Sequence, residues 1–415
     1  MTNDRARQIM ERSDVLATHT MVEGQITRPY ATPALWAARD QIATWMSDAG
    51  MTTRIDTIGN LIGRYEAAAD MEAPQTLLIN GHFDSVVDAG RYDGTLGILS
   101  GIAAVQRLHD GHHRLPFAVE VLAIADEEGN RFHSSFLGSS PLAGAWDPAW
   151  LNYRADDGPT LREVLEDIGS DLADIGSDAF DPASLLGFIE VHIEQGPVLE
   201  ANNLPVGAVS SITGSSQATI VVEGMAGHAG TVPMDLRRDA LTAAAELVLA
   251  VEQIANMEPR LVATVGRMDV APGGPNVIPG RVEFTLDLRH AEPAVRERAM
   301  GRLRSRVDAV AATRGVSIEW IEALGFEGIT CDAHLTDVLE SAIADAGYKP
   351  TRLYSGAGHD ALVFAAVTPV SMLFVRCREG ISHNPAESIT EADVAVAIDV
   401  LDRFVATLAR QAGEG

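Results

Sequence analysis

The sequence predicts an α/β protein, a mostly parallel sheet with helices on both faces, carrying a smaller inserted α+β domain. Three observations predict it. Apolar runs of strand length, without alternation, stand at Leu77–Asn80, Phe117–Ala125 and Gly187–Ile193, the pattern of strands buried on both faces. Helix-like stretches separate them, as in a parallel sheet. From Ala208 the order changes to strand, strand, helix, strand, strand, helix, strand.

Taken in order, residues 4–50 read as mainly helical with a loop at Gly24–Thr32, and Pro33 suits the first turn of the second helix. Met51–Tyr65 alternates and turns at Gly59-Asn60, a strand pair. The strand at Leu77–Asn80 is followed by a helix over Leu96–Leu108, and a further helix starts near Thr160. The inserted segment gives strands at Ala208–Gly214, Ala218–Gly224, Leu261–Met268, Arg281–Arg289 and Val316–Glu322. Its helices are Leu236–Met257, apolar at Leu241, Ala244, Ala245, Val248 and Val251, and Pro293–Arg314. After Gly328 come a helix at Ala333–Ala346, a strand near Thr351–Tyr354, a Gly-rich turn, a strand at Pro369–Val375 and a final helix at Glu391–Arg410. The expected division is 1–207 with 328–415 as a discontinuous catalytic domain, and 208–327 as the insertion.

With 415 residues, 46% of them hydrophobic, the chain can bury the cores of two domains. Its formal net charge of -27 disfavours nucleic acid and anionic membrane surfaces, which need a positive field. Of 31 basic residues only Lys349 is a lysine. Cys331 and Cys377 lack metal-finger or disulfide spacing. No signal-peptide core or membrane-length apolar run is present. The expectation is a cytoplasmic protein.

Chemistry-bearing residues gather where the proposed parallel strands end, the ligand side of an open α/β sheet. His82 and Asp84 follow the first strand and Asp93 the next loop. Asp126-Glu127-Glu128 ends the second, where three adjacent carboxylates repel one another unless a cation offsets them. His192 ends the third, and His383 follows the last strand. Any one of these could be a solvated turn residue. Together His82, Asp93, Glu127, Glu128, His192 and His383 offer more donors than one ion needs, and suit two ions bridged by a carboxylate. Asp84 could hold the far nitrogen of His82.

The motifs GHFDSV, YDGTLGILSG, DEEGNRF, HIEQGPVLE, GHAGTVPMDLRRDAL, GGPNVIPG, SGAGHDA and GISHNPAE run from Gly81 to Glu387. Through them the sequence resembles the M20 metallopeptidase/amidase clan. Within it, the resemblance is to the branch of N-carbamoyl-L-amino acid hydrolases, β-ureidopropionases and allantoate amidohydrolases. The resemblance implies two divalent ions per subunit (Zn, Mn, Co or Ni). His82, Asp93 and His192 would hold one, and Asp93, Glu128 and His383 the other. Glu127 would be the general base, and Asp84 the partner of His82. His228 would stabilise the oxyanion. Asn276 and Arg289 would bind the substrate carboxylate, with Gln195 and the turn at Gly358-His359 facing the ureido group or carboxylate. The insertion would be both lid and homodimer surface.

Without the family, Arg289 reads as a surface ion pair, His228 and Asn276 as turn residues, and His359 as paired with Asp360. Arg237 and Arg238 read as a solvated helix face. The expected function is hydrolysis of a linear ureido amide on a small carboxylate-bearing substrate, such as an N-carbamoyl-L-amino acid, N-carbamoyl-β-alanine or allantoate. The alternatives are an M20-type dipeptidase or N-acyl amino acid hydrolase, and a non-catalytic metal-dependent binding protein.

Overall fold

A computed structural model describes residues 2–69, 71 and 73–413. The chain divides into two compact units, Met1–Ser210 with Cys331–Gly415, and Ser211–Thr330.

The first unit opens with α1 (Thr2–Ala17) and α2 (Pro33–Asp48). Thr32 caps α2 by accepting the Leu35 N–H, and Pro33 takes its first position, where a missing N–H costs nothing. β1 (Thr52–Ile55) and β2 (Leu61–Tyr65) form the expected hairpin. β3 (Thr76–His82), α3 (Thr95–Asp110) and β4 (Ala118–Ile124) follow, then the single-turn α4 (Ser139–Leu142) and α5 (Leu161–Asp167). A capping box between Thr160 and Glu163 starts α5. β5 (Leu185–Ile193), α6 (Val198–Ala201) and β6 (Val206–Ile212) complete the first pass.

In the second unit the order is β7 (Gly214–Glu223), β8 (Gly227–His228), α7 (Ala240–Ala255), β9 (Val262–Thr264) and β10 (Met268–Ala271). Then come β11 (Val277–Ile278), β12 (Arg281–His290), α8 (Pro293–Arg314), β13 (Ser317–Phe326) and β14 (Ile329–Thr330). The chain re-enters the first unit with α9 (Ala333–Asp345), β15 (Arg352–Ser355), α10 (Ala361–Phe364), β16 (Val370–Val375) and α11 (Glu391–Gly413).

The large sheet runs β1-β2-β4-β3-β5-β16-β6. Its centre, β4-β3-β5-β16, is parallel, and antiparallel strands flank it on both sides. Alternate side chains of the central strands face opposite ways. Leu77, Ile79, Val119, Val121, Ile189 and Val191 enter one apolar cluster with α1, α3, α9 and α11. The other face carries Asn80, His82, Glu190 and His192, and α10 covers it: Phe364 stacks on Phe188 at 4.8 Å, and the Ala361 N–H donates to Glu190.

The second unit is a five-stranded antiparallel sheet, β10-β12-β7-β13 with β9 beside β12, and a separate two-stranded β8/β11 sheet. Val282, Phe284, Leu286 and Leu288 point inward from β12 against α7 and α8.

Four expectations shift. The strand placed at Ala208–Gly214 is Val206–Ile212, and it belongs to the large sheet, hydrogen-bonded along β16. The strand at Leu261–Met268 is broken into β9 and β10. The helix expected from Leu236 starts at Ala240, because Asp239 caps it through the Leu241 and Thr242 N–H groups. Its buried stripe is Ala240, Ala243, Ala244, Leu247, Ala250, Val251 and Ile254, with Leu241 outside. Arg237 and Arg238 precede that helix instead of lying on it, and Arg237 donates to the Val232 and Ala229 carbonyls.

The N-terminal turn of α3 sits directly on the strand ends. A Cβ on Gly97 would lie 2.3 Å from the Asn80 carbonyl oxygen and 2.7 Å from that of Val191. Gly97→Ala is expected to cost about 1–3 kcal/mol, the scale of overpacking a rigid core. Gly301, inside α8, has nothing near its Cβ position, so Gly301→Ala should stabilise by about 1 kcal/mol. Denaturant unfolding of the two variants beside the parent checks both signs, and a Gly97→Ala protein of parental stability would contradict the packing account.

Candidate metal centre

His82 is the last residue of β3, and His192 the penultimate residue of β5. Glu127 and Glu128 stand in the turn after β4, Asp93 in the loop entering α3, and His383 in the loop between β16 and α11. The fold brings all six together. Donor atoms of His82, Asp93 and His192 lie within 4.8 Å of one another, as do those of His82, Glu127 and Glu128, and those of Asp93, Glu128 and His383.

Asp93 is the shared member. Its Oδ1 is 3.0 Å from His192 Nε2 and 3.7 Å from His82 Nε2. Its Oδ2 is 3.1 Å from His383 Nε2, which is itself 3.6 Å from Glu128 Oε1. His192 Nδ1 lies 2.9 Å from the Ile193 carbonyl. A carbonyl only accepts, so Nδ1 carries the proton and Nε2 presents a lone pair toward Asp93. A lone pair facing a carboxylate oxygen at that distance calls for a proton or a cation between them.

The electrostatics point the same way. Burial and the repulsion of Glu128 and Asp360 push the Glu127 carboxyl well up. Burial and the charge of Asp93 push Glu128 up to about 7. Burial, with Asp84 and Glu128, pushes Asp126 well above the carboxylate range, and neither of its oxygens has a hydrogen-bond partner. Burial opposes the charged form of His82 and Asp93 too, but His82 is driven well up by Asp84, and the imidazoles of His192, His383 and His82 around it hold Asp93 well down. Acids that climb beside imidazoles that climb mark a cluster short of positive charge. The donor set of imidazole and carboxylate, without thiolate, fits divalent ions of the zinc, manganese, cobalt or nickel type.

The supporting shell is well defined. Asp84 Oδ1 faces His82 Nδ1 at 3.3 Å. Its two oxygens also accept the Glu127 and Glu128 N–H groups, at 3.1 Å each. One side chain thus orients an imidazole and fixes the backbone of two carboxylates. Gly94 adopts φ 71°, and a Cβ there would meet the His82 ring at 2.3 Å. A residue with a side chain is therefore excluded twice.

The remaining candidates divide between the units. Gln195 donates from Nε2 to Asp93 Oδ2 and to Ser382 Oγ, both at 3.1 Å. His359 is 2% exposed, packs edge-on to His192 at 4.6 Å, and has Nε2 2.7 Å from Ser355 Oγ. Its neighbour Asp360 accepts from Asn80 rather than pairing with His359. Gly358 lies in the same turn. His228, Asn276 and Arg289 belong to the second unit. There β8 pairs with β11, setting His228 opposite Val277 and beside Asn276, whose carbonyl accepts the Ala229 N–H. Arg289 forks onto Asp287 at 2.9 and 3.0 Å.

Sequence reasoning missed three supporting residues. Arg28, 3% exposed, donates to the carbonyls of Leu16, His19 and Phe83, the last between His82 and Asp84. A single arginine in a loop gives no signal. Ser382 and Glu387 share the GISHNPAE motif with His383, where a serine and a glutamate give no signal of their own. Burial and Asp93 raise the Glu387 carboxyl to about 7, against the pull of hydrogen bonds from the Tyr92 and Asp93 amides and Ser382.

The model of peptidase family M20/M25/M40 matches residues 73–407. The chain is 40% identical over 417 residues to a probable allantoate deiminase of Oryza sativa subsp. japonica, covering 92% of this chain and 84% of that one. It is 38% identical over 387 residues to an N-carbamoyl-L-amino acid amidohydrolase of Geobacillus stearothermophilus, covering 93% and 94%. Among solved structures, an amidase of the hydantoinase/carbamoylase family from Burkholderia multivorans superposes with a TM-score of 0.90 at 33% identity, over 97% of this chain and 98% of that one.

Asp84→Asn keeps the volume but turns an N–H toward either the Glu127 or the Glu128 amide. It is expected to weaken metal binding about 10–100-fold, read by titration of chelator-stripped protein against a metal-indicator dye. Parental affinity in that variant would refute the clamp.

Proposed function

The chain belongs to peptidase family M20/M25/M40, and on that premise we propose a metal-dependent amidohydrolase that cleaves the C–N bond of a ureido group, R–NH–CO–NH2, on a small carboxylate-bearing substrate. The observation that carries the reading is the buried donor cluster around Asp93 with Glu127 at its edge. Relatives similar along nearly their whole length, named for allantoate and N-carbamoyl-L-amino acids, support the substrate class.

His82, Asp93 and His192 would hold one divalent ion, and Asp93, Glu128 and His383 a second. Such ions supply Lewis acidity to a carbonyl and acidity to water. The rest falls to side chains. Glu127, fixed through its backbone by Asp84, takes the proton of the attacking water and delivers it to the leaving nitrogen. Its burial keeps that carboxylate poorly solvated and basic. Just after β8, Gly230 donates to His228 Nδ1 at 3.0 Å, so the neutral ring keeps its proton on Nε2. That leaves a fixed donor suited to the developing oxyanion. Asn276 and Arg289 would recognise the carboxylate, with the guanidinium fork matched to its two oxygens. Gln195 and the Gly358-His359 turn would face the ureido group or the carboxylate. Water adds to the carbonyl carbon and the substrate C–N bond breaks; an N-carbamoyl amino acid then yields the free amino acid, carbon dioxide and ammonia. A homodimer through the second unit and a cytoplasmic location belong to the same proposal. Among the described residues no helix is long and apolar enough to cross a membrane.

Chelator-stripped protein should release ammonia from one of allantoate, N-carbamoyl-β-alanine or an N-carbamoyl-L-amino acid once Mn, Co, Ni or Zn is restored. N-acetyl amino acids and dipeptides, assayed for free amine, should stay intact. Glu127→Gln is expected to lower kcat by about 10²–10⁴-fold, the range for a lost general base, with metal content unchanged. Turnover confined to the acyl or peptide compounds would overturn the ureido assignment.

A further inference from the structure

Glu387 lies outside every donor set, yet it ties together the loops that carry two of the proposed ligands. Only 4% exposed, it accepts on Oε1 the N–H groups of Tyr92 at 2.8 Å and Asp93 at 3.2 Å. On Oε2 it faces Ser382 Oγ at 3.1 Å. The first contacts fix the backbone of the shared carboxylate, and the second fixes the residue before His383. The fit is close: a Cβ on Gly90 would fall 2.1 Å from the Glu387 carboxyl carbon.

Ser382 has one proton and two carboxylates in reach, Asp93 Oδ2 at 3.0 Å and Glu387 Oε2 at 3.1 Å. Its oxygen also accepts from Gln195 Nε2 at 3.1 Å. A proton given to Asp93 Oδ2 would use up acceptor capacity on the oxygen that lies 3.1 Å from His383 Nε2 and already accepts from Gln195. A proton given to Glu387 leaves that capacity for a cation. We propose that Glu387 is a positioning residue for the second metal position: it fixes the Tyr92–Asp93 backbone and draws the Ser382 proton away from Asp93 Oδ2. This rests on the two-ion reading above.

Glu387→Gln separates the two roles. The new carbonyl oxygen can still accept the Tyr92 and Asp93 amides, but the new NH2 group donates to Ser382 Oγ and turns the serine proton onto Asp93. Gly90→Ala reaches the same site from the other loop by displacing the carboxylate. Metal-stripped parent, Glu387→Gln and Gly90→Ala would each be titrated with Mn²⁺ alone, reading stoichiometry and stepwise affinity by calorimetry and the Tm of the metal-free proteins by scanning. The expected result is two ions in the parent, an unchanged first affinity in Glu387→Gln, and a second affinity at least tenfold weaker in both variants. A general structural defect would instead lower the metal-free Tm and weaken both steps of Glu387→Gln alike, which overturns the proposal. Parental affinities in Glu387→Gln overturn it too, while the two-ion reading stands. A parent that binds fewer than two ions overturns both.

Discussion

The structure is built around the burial of one carboxylate. Asp93 sits among three imidazoles and two further acids at the ends of parallel strands. Removing that much charge from water is costly unless each oxygen is matched. Oδ1 is matched by His82 and His192, Oδ2 by His383 and Gln195. The acids around it are held up and the imidazoles likewise, so the cluster is arranged for added positive charge rather than for self-sufficiency. That imbalance is one a bound cation would relieve.

What keeps the cluster in register is a layer of backbone contacts. Arg28 holds the chain at Phe83 from behind, Asp84 holds the turn after β4, and Glu387 holds the loop entering α3. Each joins two segments remote in sequence, with a charged group against backbone N–H or C=O, where geometry is stiff and the bond is strengthened by charge. Glycine supplies the space: Gly81, Gly94 and Gly97 let β3 and α3 approach until the His82 ring rests on the turn between them. Rigid positioning of ligands is what a catalytic metal site requires of its surroundings.

In the second unit the same economy appears in smaller form. A two-residue strand pair sets His228 and Asn276 side by side, and the Gly230 amide fixes the tautomer of the histidine. Arg289 is already engaged by Asp287. On the role proposed for Arg289, a substrate carboxylate would share or displace that pair.

The sequence by itself determined the α/β class, the order along the chain of the central strands and helices, and which donor side chains stand at the strand ends. Those features are local: unbroken apolar runs reveal buried strands, and Gly-rich acidic turns reveal strand ends. The helix at Pro33 and the hairpin at Gly59-Asn60 were legible for the same reason, since caps and turns are written in neighbouring residues. Tertiary structure decided the rest. That Val206–Ile212 joins the large sheet depends on β16, far along the chain, and the buried face of α7 is set by its packing with β7, β12 and α8 in the second unit's core. Arg28, Ser382 and Glu387 acquire meaning only when distant loops meet. Hydrogen bonds between segments leave no periodicity, because nothing in the sequence around a donor specifies the acceptor that folding brings to it.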